Sequence, residues 1–142
     1  MGLDMSHDAW HGAYSAFKRF REEVATAAGI PLVQAAYPKE YGGGSRLEPD
    51  IPWDRFTAEN LQGDWDTPPD DPLFILLVHS DCDGRIPTQY CEHLANRLEQ
   101  LIPALPSEGA GHLALGGSQA KARQLVEGLR DAAAAGEDVE FG

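Results

Sequence analysis

The chain has few cysteines and few basic residues, and each shortage excludes a class of protein. Two cysteines in 142 residues are too few for the disulfide framework of a small secreted domain. Only 11 lysine and arginine residues accompany 23 acidic ones, and a net charge of -12 repels nucleic-acid phosphates. No apolar run approaches the roughly 20 residues that span a bilayer, and Met1–Asp4 lacks the basic start of a secretory signal. We therefore expect a cytoplasmic protein that binds neither nucleic acid nor membrane.

The hydrophobic pattern predicts three strand–loop–helix units. Helices are expected where apolar residues recur at spacings of three and four, over Tyr14–Ala28, over Thr88–Ile102 and from the turn Gly116-Gly117-Ser118 to about Ala135. The strands that precede them are predicted at Gly2–Met5, at the apolar run Phe74–Val78 and at His112–Leu115, with Val139–Phe141 as an edge segment. This alternation favours one α/β domain over residues 1–142 with a small, largely parallel sheet.

A segment rich in proline and glycine interrupts this order between residues 42 and 72. It contains three consecutive glycines, four prolines between Pro49 and Pro69, and the tryptophans Trp53 and Trp65. A long insertion without secondary structure is uncommon in a compact domain and often serves as a functional lid. The alternative is an ordered surface loop that its two tryptophans hold in place.

Two polar loops follow the first two predicted strands and resemble halves of one site. The first is Ser6–Gly12 and the second is His79–Gly84, and each contains His, Ser and Asp within three residues. Loops at the carboxyl ends of neighbouring parallel strands open on the same edge of a sheet, where ligands of α/β proteins bind. We predict one shared ligand site with the residues Ser6, His7, Asp8, Trp10, Gly12, Tyr14, Arg21, His79, Ser80, Asp81, Cys82, Asp83 and Gly84.

Two kinds of chemistry remain open for this site. In a binding protein, Trp10 and Tyr14 would stack on a small polar or nucleotide-like ligand and Arg21 would supply charge. In a metal-dependent hydrolase, a divalent metal ion would be held by imidazole and carboxylate groups from His7, Asp8, His79, Asp81 and Asp83. The spacing matches no high-specificity metal motif, the aromatic residues also fit a core, and the polar residues also fit loop capping.

Cys82 offers a nucleophile within the second loop, with His79 or His7 as its base. The alternative is a free thiol with no chemical role, because cysteine is a small and commonly buried residue.

The motifs S-H-D-x-W-x-G-x-Y-S-x-F at Ser6–Phe17 and H-S-D-C-D-G at His79–Gly84 resemble those of a group of small bacterial and phage proteins. The carboxyl-terminal stretch from Gly128 to Phe141 is similar to the same group. The resemblance covers about half of the chain and brings no activity with it, although a phage context implies a small sequestering protein. We therefore expect a small-molecule-binding protein, with a metal-dependent hydrolase as the alternative and homo-oligomerisation left open.

Overall fold

The computed structural model describes residues 2–107 and 117–142, and within these ranges the chain forms five helices and six short strands. The helices are α1 (Tyr14–Ala27), α2 (Ala58–Leu61), α3 (Leu73–Leu77), α4 (Thr88–Leu101) and α5 (Gly117–Ala135). The strands are β1 (Gly2–Asp4), β2 (His11–Ala13), β3 (Leu32–Ala36), β4 (Ser45–Pro49), β5 (Arg85–Ile86) and β6 (Val139–Glu140). In this described part of the chain, no helix has the length and apolar character needed to cross a membrane. The predicted strand at His112–Leu115 lies outside the described residues.

The strands pair into three antiparallel sheets of two strands each, so the predicted parallel sheet is wrong. β1 pairs with β2, β3 with β4 and β5 with β6. Each strand has between two and five residues. A parallel sheet needs a central strand that is buried on both faces, and the apolar run expected to supply it is helical.

That apolar run lies within α3 and the residue after it. The Asp71 carboxylate accepts a hydrogen bond from the backbone N–H of Leu73 at 3.0 Å, which satisfies a donor at the start of the helix. Pro72 between them has a φ of -61°, the value that its ring imposes and that a helix start requires. Four of the five residues of α3 are buried, so this helix has no polar face. A short apolar run has the same pattern in a buried helix and in a buried strand, and length alone does not separate them.

The three long helices agree with the sequence pattern. The predicted bounds of α1 and α4 are confirmed to within one residue at each end, and α5 ends at Ala135 as expected. α4 packs along α5, and both also contact α1. The largest fully buried side chains in this core include Trp10, Phe17 and Phe20. The ring centroids of Phe17 and Phe20 each lie 5.2 Å from that of Trp10.

The segment at residues 42–72 is largely ordered. It contributes β4, which completes a hairpin with β3, and then a 3-10 turn over Trp53–Arg55. α2 follows with a capping box, in which Thr57 and Asn60 each accept a hydrogen bond from the backbone N–H of the other. Because β4 contacts α1, this segment packs against the rest of the protein and forms one wall of a cleft.

The carboxyl-terminal residues lie between the two loops that the sequence placed at one site. The backbone N–H of Phe141 donates to the carbonyl of Gly84 at 2.9 Å, and Phe141 also pairs with Met5 as an antiparallel bridge. On the side of the first loop, the Ser6 hydroxyl accepts a hydrogen bond from the N–H of Glu140 at 2.8 Å. The predicted loops therefore flank the last strand and do not face each other across a shared mouth.

Candidate functional site

A cleft of about 350 Å³ opens between α1, the end of β4 and the residues around the end of α3. We name it the Trp53 cleft and define it by its lining residues Lys18, Arg21, Glu22, Glu48, Pro49, Ile51, Trp53, Leu61 and Leu77–Asp81. The side chains of Ile51, Leu61, Leu77 and Val78 give it an apolar wall, and charged groups come from α1, β4 and Asp81. Apolar walls with a few placed polar groups are the usual composition of a small-molecule site.

Arg21 connects α1 to the end of α3. Its Nη1 donates to the carbonyl of His79 at 2.6 Å and lies 3.5 Å from the carbonyls of Leu76 and Leu77. Leu76 and Leu77 lie in the last turn of α3, where carbonyls have no partner within the helix, and the Leu76 carbonyl also accepts the His79 N–H at 3.3 Å. The guanidinium carbon also lies 4.5 Å from the ring centroid of Phe17, one helical turn earlier in α1. Arg21 therefore holds the end of α3 in place.

The environment of Arg21 acts on its charge in two directions. Burial lowers the pKa of Arg21 to about 10, and the nearby carboxylates of Asp81 and Glu48 act in the opposite direction. The guanidinium therefore remains charged at neutral pH.

His79 is buried, with 2% of its surface exposed, and both of its ring nitrogens are engaged by the backbone. Nδ1 lies 2.8 Å from the carbonyl of Ser80, and Nε2 lies 2.8 Å from the carbonyl of Arg85. Burial lowers the pKa of His79; the two carbonyls oppose that shift, and the charge of Arg21 adds to it. A neutral imidazole has one N–H and can donate to only one of these carbonyls. His79 was predicted to be a ligand-binding residue, and in the structure both of its ring nitrogens contact backbone carbonyls.

The rest of the second loop is tied to the end of α2. The N–H of Ser80 donates to the carbonyl of Leu61 at 2.8 Å, and the side-chain amide of Gln62 donates to Asp83 at 3.0 Å. Hydrogen bonds from Ser80 and Gln62 lower the pKa of Asp83, which is fully exposed. Cys82 is exposed and has only Ser80 and Asp83 as side-chain partners among the described residues.

Gly63 allows this close contact between the two segments. Its φ is +99°, and a Cβ at this position would lie 1.7 Å from the carbonyl oxygen of Arg85. Only glycine fits a backbone that is both left-handed and this near to another chain segment.

The first loop lies outside the Trp53 cleft, and its aromatic residue belongs to the core. Trp10, predicted to stack on a ligand, has no exposed surface and packs against Phe17 and Phe20. The Lys121 ammonium lies 4.7 Å from the centroid of the Trp10 ring. Tyr14, its predicted partner in stacking, packs against the core and is half-buried.

The polar residues of the first loop contact one another and α5. His11 forms hydrogen bonds with Asp4, at 2.8 Å from Nδ1, and with Asp8 through Nε2. His7 and Asp8 both have positive φ, at 58° and 56°, and the amide of Gln124 in α5 donates to the carbonyl of Asp8 at 2.8 Å. These contacts give His11, Asp4 and Asp8 partners within the loop, in β1 and in α5, and so account for them as structural groups.

Four of the predicted site residues therefore lie together in the Trp53 cleft, namely Arg21, His79, Ser80 and Asp81. The other nine do not line it: Ser6, His7, Asp8, Trp10, Gly12, Tyr14, Cys82, Asp83 and Gly84. The sequence reasoning missed Glu48 and Trp53 as cleft residues. Trp53 is visible in the sequence as a large aromatic residue within the insertion, but no local pattern indicates that Glu48 lines a cleft beside α1.

The five residues proposed to hold a metal ion do not form one cluster. In residues 2–107 and 117–142, no group of three or more His, Cys, Asp or Glu side chains is arranged to hold a metal ion. Nε2 of His7 lies 3.4 Å from a carboxylate oxygen of Glu137. The ring nitrogens of His79 instead contact the backbone carbonyls of Ser80 and Arg85. The donor geometry therefore does not support a centre that shares His7 with His79.

No protein-family model matches the chain, and comparisons with curated proteins and with solved structures find no significant match. The resemblance to bacterial and phage proteins thus stays a prediction.

Proposed function

We propose that the protein binds a small organic molecule in the Trp53 cleft. The volume of about 350 Å³ is within the range of ligand pockets, and an apolar wall lies beside charged groups. The proposed site includes residues of the second predicted loop, His79–Gly84, but none of the first loop, Ser6–Gly12. Residues between 48 and 61 form its other wall. The two free cysteines fit a reducing compartment, so we place this function in the cytoplasm.

The observation that carries the proposal is the exposure of Trp53 at the cleft. Its side chain is 49% exposed, although tryptophan is one of the residues that folding most favours burying. It lies in the 3-10 turn after β4, where it lines the cleft beside Ile51. An exposed indole at a cleft offers a ligand a large rigid surface at a small cost in conformational entropy.

The histidine and the cysteine of the second loop are not placed for catalysis in this cleft. A histidine that serves as a general base needs a ring nitrogen that can take a proton from the substrate or from water. His79 is the one histidine that lines the cleft, and both of its nitrogens contact backbone carbonyls. Cys82 does not line the cleft, so the cleft has no thiol to act as a nucleophile.

The proposal can be tested with four matched probes that share a phenyl ring and differ in charge: phenethylamine, phenethyl alcohol, phenylpropanoate and phenylalanine. Each would be titrated into ¹⁵N-labelled protein while NMR follows the indole N–H signal of Trp53 and the backbone amide signals of Ser80 and Asp81, which also line the cleft and remain in Trp53→Ala. For probes of this size we expect a dissociation constant of about 1 mM for those that bind. We expect Trp53→Ala to abolish the shifts of the Ser80 and Asp81 amide signals for every probe that binds the wild type.

Leu47→Ala is the matched control, because Leu47 is 52% exposed in β4 and does not line the cleft. This variant should bind the same probes as the wild type. Cooperative unfolding of both variants would show that each is folded. The proposed function is wrong if none of the four probes binds, or if Trp53→Ala binds them as well as the wild type does.

A further inference from the structure

The basic groups of the Trp53 cleft already have partners within the protein. Lys18 forms an ion pair with Glu22, one turn later in α1. Arg21 donates to the carbonyl of His79 and approaches two further carbonyls at the end of α3. A ligand carboxylate or phosphate would therefore have to compete with these contacts for both basic groups.

The acidic groups of the same cleft are in a different situation. Among the described residues, the carboxylates of Glu48 and Asp81 have no hydrogen bond or ion pair, although both are near enough to Arg21 to favour its charged form. The cleft is lined by three acidic and two basic residues. Once Lys18 has paired with Glu22, two carboxylates remain for the one guanidinium. The charged groups that line the cleft therefore carry a net charge of -1.

We propose that the ligand of the Trp53 cleft is a monovalent organic cation, namely a primary amine on an aromatic or aliphatic body; this proposal rests on the proposed function. The ammonium group has three donors and would bind between Glu48 and Asp81. The apolar body would lie on Trp53 and on the wall that includes Ile51 and Leu77. A cation near the indole also gains a cation–π attraction, which is stronger for tryptophan than for the other aromatic residues.

The charge of the whole chain acts in the same direction. A formal net charge of -12 attracts cations towards the surface and repels anions. This long-range attraction weakens with salt, whereas a direct contact over a few ångströms, shorter than the Debye length of about 10 Å at 0.1 M, is screened less. The salt dependence of binding therefore separates the general field from the local contact.

The same four probes test the proposal. We expect phenethylamine to bind about tenfold more tightly than phenethyl alcohol, and phenylpropanoate to bind most weakly. In the double variant Glu48→Gln/Asp81→Asn, phenethylamine should bind about tenfold more weakly and phenethyl alcohol should be unaffected. The control Asp54→Asn/Glu59→Gln changes the net charge by the same amount at two exposed residues that do not line the cleft. At about 300 mM salt, this control variant should still bind phenethylamine more tightly than phenethyl alcohol.

Failure of this inference can be distinguished from failure of the proposed function. If a neutral, zwitterionic or anionic probe binds as tightly as phenethylamine and Trp53→Ala removes that binding, the cleft is a ligand site but the cation proposal is wrong. Equal weakening by the two double variants would also overturn it, because the preference would then come from net charge alone. If none of the four probes binds, the proposed function itself fails.

Discussion

His79 and Phe141 stack with ring centroids 3.9 Å apart and an interplanar angle of 25°. The stack joins the loop after α3 to the carboxyl-terminal strand, where the N–H of Phe141 donates to the carbonyl of Gly84. A residue that the sequence placed in a binding site thus connects two distant parts of the chain.

This stack predicts that His79→Ala destabilises the protein. The substitution removes a buried ring and the hydrogen bond to a backbone carbonyl, so we expect a loss of about 2–4 kcal/mol in the free energy of unfolding. Urea unfolding followed by circular dichroism measures this loss. His93→Ala is the control, because His93 is exposed on α4, and it should change stability by less than about 0.5 kcal/mol. Equal stability of the two variants would show that the stack contributes little.

Gly128 predicts a second loss of stability. A Cβ at this position of α5 would lie 2.5 Å from the Cβ of Ala9 and 2.6 Å from its Cα. In a helix, alanine is normally more favourable than glycine by about 1 kcal/mol, so any destabilisation by Gly128→Ala must come from this contact. We expect a net loss of about 1–3 kcal/mol by thermal or urea unfolding. Glu127→Ala, at the exposed neighbouring position, should be close to neutral, and a stabilised Gly128→Ala would contradict the packing at Ala9.

The two thiols should differ in reactivity. Cys82 is exposed, whereas Cys91 is buried and its pKa is raised to about 11, mainly by burial. Because the thiolate is the reactive form, a thiol reagent should label one cysteine in the native protein and both in denaturant. Absorbance with Ellman's reagent counts the thiols, and Cys82→Ser should remove the fast reaction. Rapid labelling of two thiols in the native protein would place Cys91 at the surface.

His11 predicts a pH dependence of stability. The hydrogen bond to Asp4, and to a smaller extent the one to Asp8, raises the pKa of His11 above its ordinary value of 6.5. The folded protein therefore holds this proton more tightly than the unfolded chain does. The resulting stabilisation is complete below pH 6.5 and is lost as the pH rises through the raised pKa.

The measurement is the difference in unfolding free energy between the wild type and His11→Gln across this range of pH. We expect the difference to be largest in acid and to decline in alkali, and to shrink in high salt because the ring is exposed. A difference that does not change with pH would mean that the ring acts through packing alone.

The sequence by itself determined the three long helices. Their apolar residues recur at spacings of three and four, and this local period decides which face of a helix is buried without reference to the rest of the fold. Gly29 and Gly136 follow the ends of α1 and α5 with positive φ, a role that local conformation alone assigns to glycine.

Only the tertiary structure decided whether the apolar run Phe74–Val78 is a helix or a strand, and where the cleft lies. A fully buried run has no polar face, so its period carries no information, and the helix depends on Asp71 at one end and Arg21 at the other. Glu48 and Trp53 reach the cleft because β4 contacts α1, and the residues in this contact are distant in sequence. Such contacts depend on how whole elements fit together, and no local spacing of residue types encodes them.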